Sequence, residues 1–344
     1  MSSSSAAQRR LASLAQHVNV NVNVNVNVSS NGNSLIAAPP PFLSTWDDLL
    51  EGVETPADWS ARRATLKAKF LALLRHEHAP PLPSSLDLQV HQETVVDGVY
   101  VRQLISYAVE EGERCHAFRA FPLNLSTCQP LPAVVALHGT YEEGLWQAAA
   151  LVEGAKGEPK GEGNKGYLDH LARRGYVVIA PEHFNSCFRE PAEGPYDTAS
   201  FYRKHPHWSA VGKFTYEHSI AVDVLLAGGQ AVPTVDPEQI GVMGHSLGGY
   251  GAFFLAAFDE RVKCSVCNCG ASFFRHNGPE AGGWVRDRWY VHFAHLRESI
   301  LRGQPPPIDF HEIMALIAPR AFLDLSGLNV SGALPVPLCC RHFH

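Results

Sequence analysis

Residues Ile240 to Phe254 read IGVMGHSLGGYGAFF. The first half is a short apolar run of the kind that forms a buried strand. The second half has the small, apolar character of a buried helix. Between them lies Gly244-His245-Ser246-Leu247-Gly248, a Gly-x-Ser-x-Gly pattern. A serine between strand and helix projects from the tip only if the chain turns sharply. Glycines two residues to either side let the backbone make that turn and let helix and strand approach closely. The spacing predicts a nucleophile elbow with Ser246 strained at its apex. The backbone N–H of Leu247, at the helix start, would face a developing oxyanion.

Such an elbow needs a parallel sheet behind it. The runs PAVVALHG, YVVIAPE, QIGVMGH, VKCSVCNCG and RAFLDLSG are short, apolar and rich in β-branched residues, as central parallel strands are. Helical runs such as GYLDHLARRG and YEHSIAVDVLLAGG lie between them. The pattern predicts an α/β fold with an open, mostly parallel sheet and flanking helices. Sites in such sheets form beyond the carboxyl ends of the strands, where His138-Gly139, Pro181-Glu182 and Ser246 all fall. The loop in VVALHGTYEEG brings backbone close to the elbow. The N–H of Thr140 or of Tyr141 is expected there as a second oxyanion donor, with His138 in a structural role beneath the loop.

Upstream, LQVHQETVVDGVYVRQLISYAV and RCHAFRAFPL predict antiparallel strands, with a turn at Asp97-Gly98. Before them, Thr55 reads as a helix N-cap with Pro56 at the first helical position. Leu66, Phe70, Leu73 and Leu74 lie on one face, and Pro80 is expected to stop the helix. Residues 1–45 differ from the rest: a Ser/Ala start is followed by strict Val/Asn alternation, and no carboxylate occurs before Asp47. Disorder is expected there, in a composition compatible with an organellar transit peptide. Cytoplasmic and organellar locations stay open. The folded domain is expected over 46–329, followed by an atypical tail, 330–344.

The chain has 344 residues and a net charge of −6, from 28 basic and 34 acidic side chains. That balance argues against nucleic acid or an anionic membrane as the main partner. No run of 18 or more apolar residues marks a membrane span. Cys264, Cys267 and Cys269 crowd together but have no second ligand pair at zinc spacing, so they read as small apolar residues of a buried strand. His292-x-x-His295 lacks an evident third ligand.

AVVALHGT, LARRGYVVIAPE, AVDVL, VDPEQIGVMGHSLGGYGAFFLAA and FHEIMALIAPRAFLDLSGLN together carry a resemblance that covers most of residues 86–329. The chain resembles the α/β-hydrolase superfamily, in particular the dienelactone-hydrolase and acetylxylan-esterase-like group, which is close to the catalytic domain of prolyl-oligopeptidase-type serine peptidases. The resemblance implies a serine hydrolase that forms an acyl-enzyme on Ser246, needs no cofactor and takes a small-molecule or carbohydrate ester. The oligomeric state stays open.

The same resemblance implies an Asp after Asn329 and a later base histidine. Val330 stands at the first position, and SGALPVPLCCRHFH follows. The expectation is a sheet without its last strand and helix and a triad without acid and base, hence very poor turnover. Asp324, His342 and His344 are the candidate substitutes. Glu182 reads as structural, and His183, His205, His207, His292 and His295 as packing or surface histidines. Three functions compete: an ester hydrolase, an inactive truncated hydrolase, and a prolyl-oligopeptidase-type peptidase. The last is disfavoured because no β-propeller repeat precedes the domain. Phe201, Tyr202 and Trp208 either line a substrate cleft or pack their loop onto the domain.

Overall fold

Thr55 opens the first helix, α1 (Pro56–Leu74), with a capping box: its side chain accepts from the Asp58 N–H, and the Asp58 carboxylate accepts the Thr55 N–H at 2.8 Å. The structure is a computed structural model that describes residues 49–123, 129–141, 143–152, 165–229, 232–271, 273–274, 284–304 and 306–325. The expected N-terminal tail, 1–45, and the atypical tail, 330–344, lie outside these residues, as does the expected loss of a last strand and helix. Helix α1 ends at Leu74, ahead of the expected stop at Pro80. Arg75 takes a left-handed conformation (φ 53°) there, and a short 3₁₀ turn over His76–His78 follows.

The sheet is built from β1 (Gln89–Val96), β2 (Tyr100–Glu110), β3 (Glu113–Pro122), β4 (Leu131–Leu137), β5 (Val177–Pro181), β6 (Val235–His245), β7 (Cys264–Asn268) and β8 (Ala321–Leu325). Its spatial order is β1-β2-β3-β5-β4-β6-β7-β8. The first three strands form an antiparallel meander, and β3 meets β5 antiparallel. From β5 across to β8 every pairing is parallel. Asp97 (φ 50°) and Gly98 (φ 68°) both have positive φ between β1 and β2. The Val99 N–H donates to the Val96 carbonyl (2.9 Å), closing a tight turn whose two central residues both need positive φ to match the right-handed strand twist.

Helices α2 (Leu145–Ala148) and α3 (Tyr167–Ala172) pack on one face of the sheet. On the other face, α1 packs with α4 (Ala199–Lys204), α5 (Ala210–Ala227), α6 (Leu247–Phe258), α7 (Ala294–Leu301) and α8 (Phe310–Ala315) around the larger core. The rings of Phe70 in α1 and Phe254 in α6 meet edge to face at 5.4 Å. Lys67 of α1 donates to the carbonyls of Ala257 (2.6 Å) and Phe258 (2.7 Å), closing the C-terminal end of α6. Helix α6 is apolar on all sides and buried along nearly its whole length, which suits a helix enclosed between sheet and outer helices.

At the carboxyl edge near β5 the core contains a charged cluster. Arg189 bridges Glu182 (3.1 Å), Glu113 (3.1 Å) and Glu217 (2.8 Å), and Lys213 meets Glu217 at 2.9 Å and Glu113 at 3.0 Å. Burial would raise the Glu217 carboxyl, but Arg189 and Lys213 hold it below the usual carboxylate range. Paired charges of this kind are tolerated inside a protein; an unpaired one is not.

Candidate active site

Strand β6 delivers Ser246 at its carboxyl end, and α6 starts at the next residue. Ser246 has φ 55° and ψ −115°, a conformation rare for a non-glycine residue. Its N–H donates to the Asn268 carbonyl at the end of β7 (2.8 Å), and its own carbonyl receives the N–H groups of Gly249 (2.9 Å) and Tyr250 (3.1 Å). The turn is therefore held by main chain on both sides. The flanking glycines are sterically required. A Cβ on Gly244 would lie 2.2 Å from the Gly248 carbonyl oxygen, and one on Gly248 would lie 2.2 Å from that of Leu137 and 2.7 Å from that of His138. These contacts bring the end of β4 directly against the first turn of α6.

The loop leaving β4 carries Thr140. Among the described residues neither the Thr140 N–H nor the Leu247 N–H has a hydrogen-bond partner. As the first residue of α6, Leu247 has no intrahelical acceptor for its N–H. The Tyr141 N–H, the alternative donor, is shared between the Gly139 carbonyl (2.9 Å) and the Tyr196 hydroxyl (3.0 Å). The Tyr196 hydroxyl in turn donates to the Tyr141 carbonyl at 2.6 Å.

His138 lies beneath this loop and is buried. Its Nδ1–H donates to the Gly139 carbonyl (2.8 Å), and His183 Nε2–H donates to the His138 carbonyl (2.9 Å). The two rings lie 3.8 Å apart, and His218 follows at 5.6 Å from His183. Burial lowers His138 to about 4 and drives His183 and His218 well below the ordinary histidine value. All three are neutral near pH 7.

The remaining candidates are dispersed. Both Glu182 oxygens are occupied by the His116 N–H (2.9 Å), Arg189 Nε (3.1 Å) and the Phe188 N–H (2.8 Å), the structural role read from its position. Asp324 is exposed on β8, opposite Cys267. His205 meets Glu110 at 3.3 Å, and burial lowers it to about 4. His292 packs among Trp284, Tyr290 and Tyr250. His295 is partly buried on α7, and His207 faces His78. His342 and His344 lie outside the described residues. Among the described residues no histidine and no carboxylate hydrogen bonds the Ser246 hydroxyl. Phe201 and Trp208 are buried in the core, and Tyr202 Oη donates to the Val291 carbonyl (3.0 Å), so these aromatics pack the loop. Cys267 is buried and Cys269 partly so, but Cys264 is exposed at the start of β7, unlike the buried strand expected of all three. Among the described residues no cluster of three or more His, Cys, Asp or Glu could hold a metal ion.

The architecture is that of known esterases. A glucuronoyl esterase from Solibacter usitatus superposes with a TM-score of 0.60 over 82% of this chain and 78% of its own, at 20% identity. The chain is an α/β-hydrolase by fold. A protein of Bacteroides fragilis NCTC 9343, described as an acetyl xylan esterase, shares this fold with a TM-score of 0.60 over 79% of this chain and 69% of its own, at 16% identity. The family profile "Glucuronyl esterase, fungi" matches residues 184–334, less than half of the chain but including the Ser246 elbow. YtaP of Bacillus subtilis (strain 168), by name a hydrolase, is 28% identical over 204 residues, 58% of this chain. This chain spans only 60% of that relative's length.

Sequence reading missed two parts of this hydrolase-fold site. Asn268 carried no side-chain signal, because it contributes its main-chain carbonyl. Tyr196 carried none, because its partner lies 55 positions away in the chain.

Proposed function

We propose that this chain is a carboxylic ester hydrolase that works through an acyl-enzyme on Ser246. The observation that carries the reading is the Ser246 turn itself: a strained residue at a strand end, beside two backbone N–H groups with no partner among the described residues, Leu247 and Thr140. A strained conformation held this firmly by main chain is what a positioned nucleophile requires. In the proposed reaction the Ser246 oxygen attacks the ester carbonyl carbon. The carbonyl electron pair moves to its oxygen, and the Leu247 and Thr140 N–H groups receive that charge. Collapse expels the alcohol, which takes up the proton released from Ser246. Water then attacks the acyl-enzyme and frees the carboxylic acid.

Asp324, His342 and His344 are the candidate substitutes for the acid and base that the resemblance expects after Asn329, and turnover is expected to be poor without a positioned base. The substrate class is a small-molecule ester, and a carbohydrate ester fits the esterases that share the fold. The chemistry needs only protein groups. No described helix is long and apolar enough to cross a membrane.

A fluorophosphonate probe and p-nitrophenyl esters of short acids test the reading. Labelling of the wild-type chain at Ser246, with turnover lost in Ser246→Ala, supports it. A chain that neither labels nor turns over esters would instead be the inactive hydrolase. Turnover that survives Ser246→Ala would place the chemistry elsewhere.

A further inference from the structure

The Tyr196 hydroxyl accepts the Tyr141 N–H at 3.0 Å, a donor that also reaches the Gly139 carbonyl at 2.9 Å, and it lies against the carbonyls of Tyr141 (2.6 Å) and Gly139 (3.2 Å), the nearer of which takes its proton. A neighbouring strand would satisfy the same two groups in this way; here a side chain does it. Tyr196 is 3% exposed and lies at φ 63°, left-handed and unusual for a bulky residue. Its own N–H is fixed to the Asn185 carbonyl at 2.7 Å, and its ring meets Trp289 edge-on at 6.4 Å. Glycine would suit this backbone better, so the side chain has to supply something that offsets the strain.

What it supplies is a choice of donor. Two consecutive N–H groups of the loop after β4, those of Thr140 and Tyr141, are near enough in sequence to serve an oxyanion. The phenol and the Gly139 carbonyl share the second, and the first is left without a partner among the described residues. His138 and His183 hold two carbonyls of the same loop, those of Gly139 and His138. The loop is thus tied at successive peptide units around the Thr140 N–H.

We propose that Tyr196 is a positioning residue for the reaction: its hydroxyl occupies the Tyr141 peptide and so presents the Thr140 N–H as the second oxyanion donor. The inference rests on the ester hydrolase reading. It adds a residue, contributed by the loop between β5 and α4, that touches neither Ser246 nor the substrate.

The test compares wild type with Tyr196→Phe, which keeps the ring and removes only the hydroxyl. Losing an oxyanion donor lowers kcat by about 10²–10³-fold, and displacing one by about 1 Å costs on the order of 10². Tyr196→Phe is therefore expected to lower kcat and the fluorophosphonate labelling rate about 10–100-fold, with KM changed by less than about threefold. A purely structural role would lower the melting temperature without this split between kcat and KM. Amide exchange at Tyr141 is the second readout: slow in the wild type, accelerated in the variant. Labelling at the wild-type rate in Tyr196→Phe overturns the inference and leaves the ester hydrolase reading standing. A Tyr141 amide that already exchanges freely in the wild-type chain also overturns it, whatever the variant does. Absence of Ser246 labelling in the wild type overturns the reading and the inference together.

Discussion

Replacing Gly248 by alanine tests whether the Ser246 turn depends on close backbone packing. The added Cβ would stand 2.2 Å from the Leu137 carbonyl oxygen, 2.6 Å from its carbon and 2.7 Å from the His138 oxygen. An ordinary carbon–oxygen contact is about 3.3 Å, so the overlap is roughly 1 Å. None of these atoms belongs to a side chain that can swing away. Strand β4 is paired on both sides, to β5 and to β6, so relief requires α6 to lift off the sheet. Overpacking costs about 1–3 kcal/mol, and backbone on backbone belongs at the upper end. With roughly 2 °C per kcal/mol for a large domain, the melting temperature should fall by about 4–6 °C. Lifting α6 by about 1 Å also moves the Leu247 N–H, a displacement that costs on the order of 10²-fold in rate. Gly241→Ala is the control. It lies in β6, the strand that leads into the Ser246 turn, but its nearest neighbour would be 3.6 Å away, an ordinary contact, so a change within about 1 kcal/mol is expected. Thermal unfolding followed by circular dichroism, with fluorophosphonate labelling rates alongside, reads both effects. If Gly248→Ala melts and labels like Gly241→Ala, the steric account of the elbow is wrong.

Arg189→Met should destabilise the fold by about 3–5 kcal/mol, because buried Glu182 would lose its arginine and buried Glu217 would keep only Lys213; urea unfolding measures it, and a loss under 1 kcal/mol would contradict the pairing argument. Stability should fall as pH drops from about 6.5 toward 4: the unfolded chain takes up protons on His138, His183 and His218 that the folded chain, with their values lowered by burial, refuses. His218→Leu removes a ring whose two nitrogens have no partner among the described residues and should flatten that fall; an unchanged melting-temperature profile would argue against it. Glu217 adds a second decline at lower pH, since its depressed value gives stability that is present above about 4.3 and lost below. Arg189→Met should shrink that step.

The parts of the fold legible in the sequence are those set by neighbours in the chain. The Thr55 cap, the Asp97-Gly98 turn, the period of the strands and the small residues around Ser246 are all short-range signals. The end of α1 was misplaced because Arg75 adopts a left-handed conformation that no local pattern announces. Cys264 was expected inside because its strand is apolar, but exposure depends on which strand ends lie near the rim of the sheet. The histidine stack under the β4 loop joins residues from β4, the β5 exit and α5, and no spacing rule links those positions. The Arg189 cluster is similar: its carboxylates come from β3, the end of β5 and α5.

At the carboxyl ends of the last strands, hydrogen bonds between peptide groups form a relay. The Ser246 N–H reaches Asn268, and the Cys269 N–H reaches Leu325 at 2.8 Å. Every group in this relay is a peptide unit, which any residue except proline supplies in the same form. Side chains along the relay are therefore free to drift over evolutionary time while the apex stays where it is. Chains that agree at only 16–20% of positions can superpose across this sheet for that reason. In the proposed ester hydrolase, the walls of the pocket can likewise be rebuilt without moving the Ser246 apex.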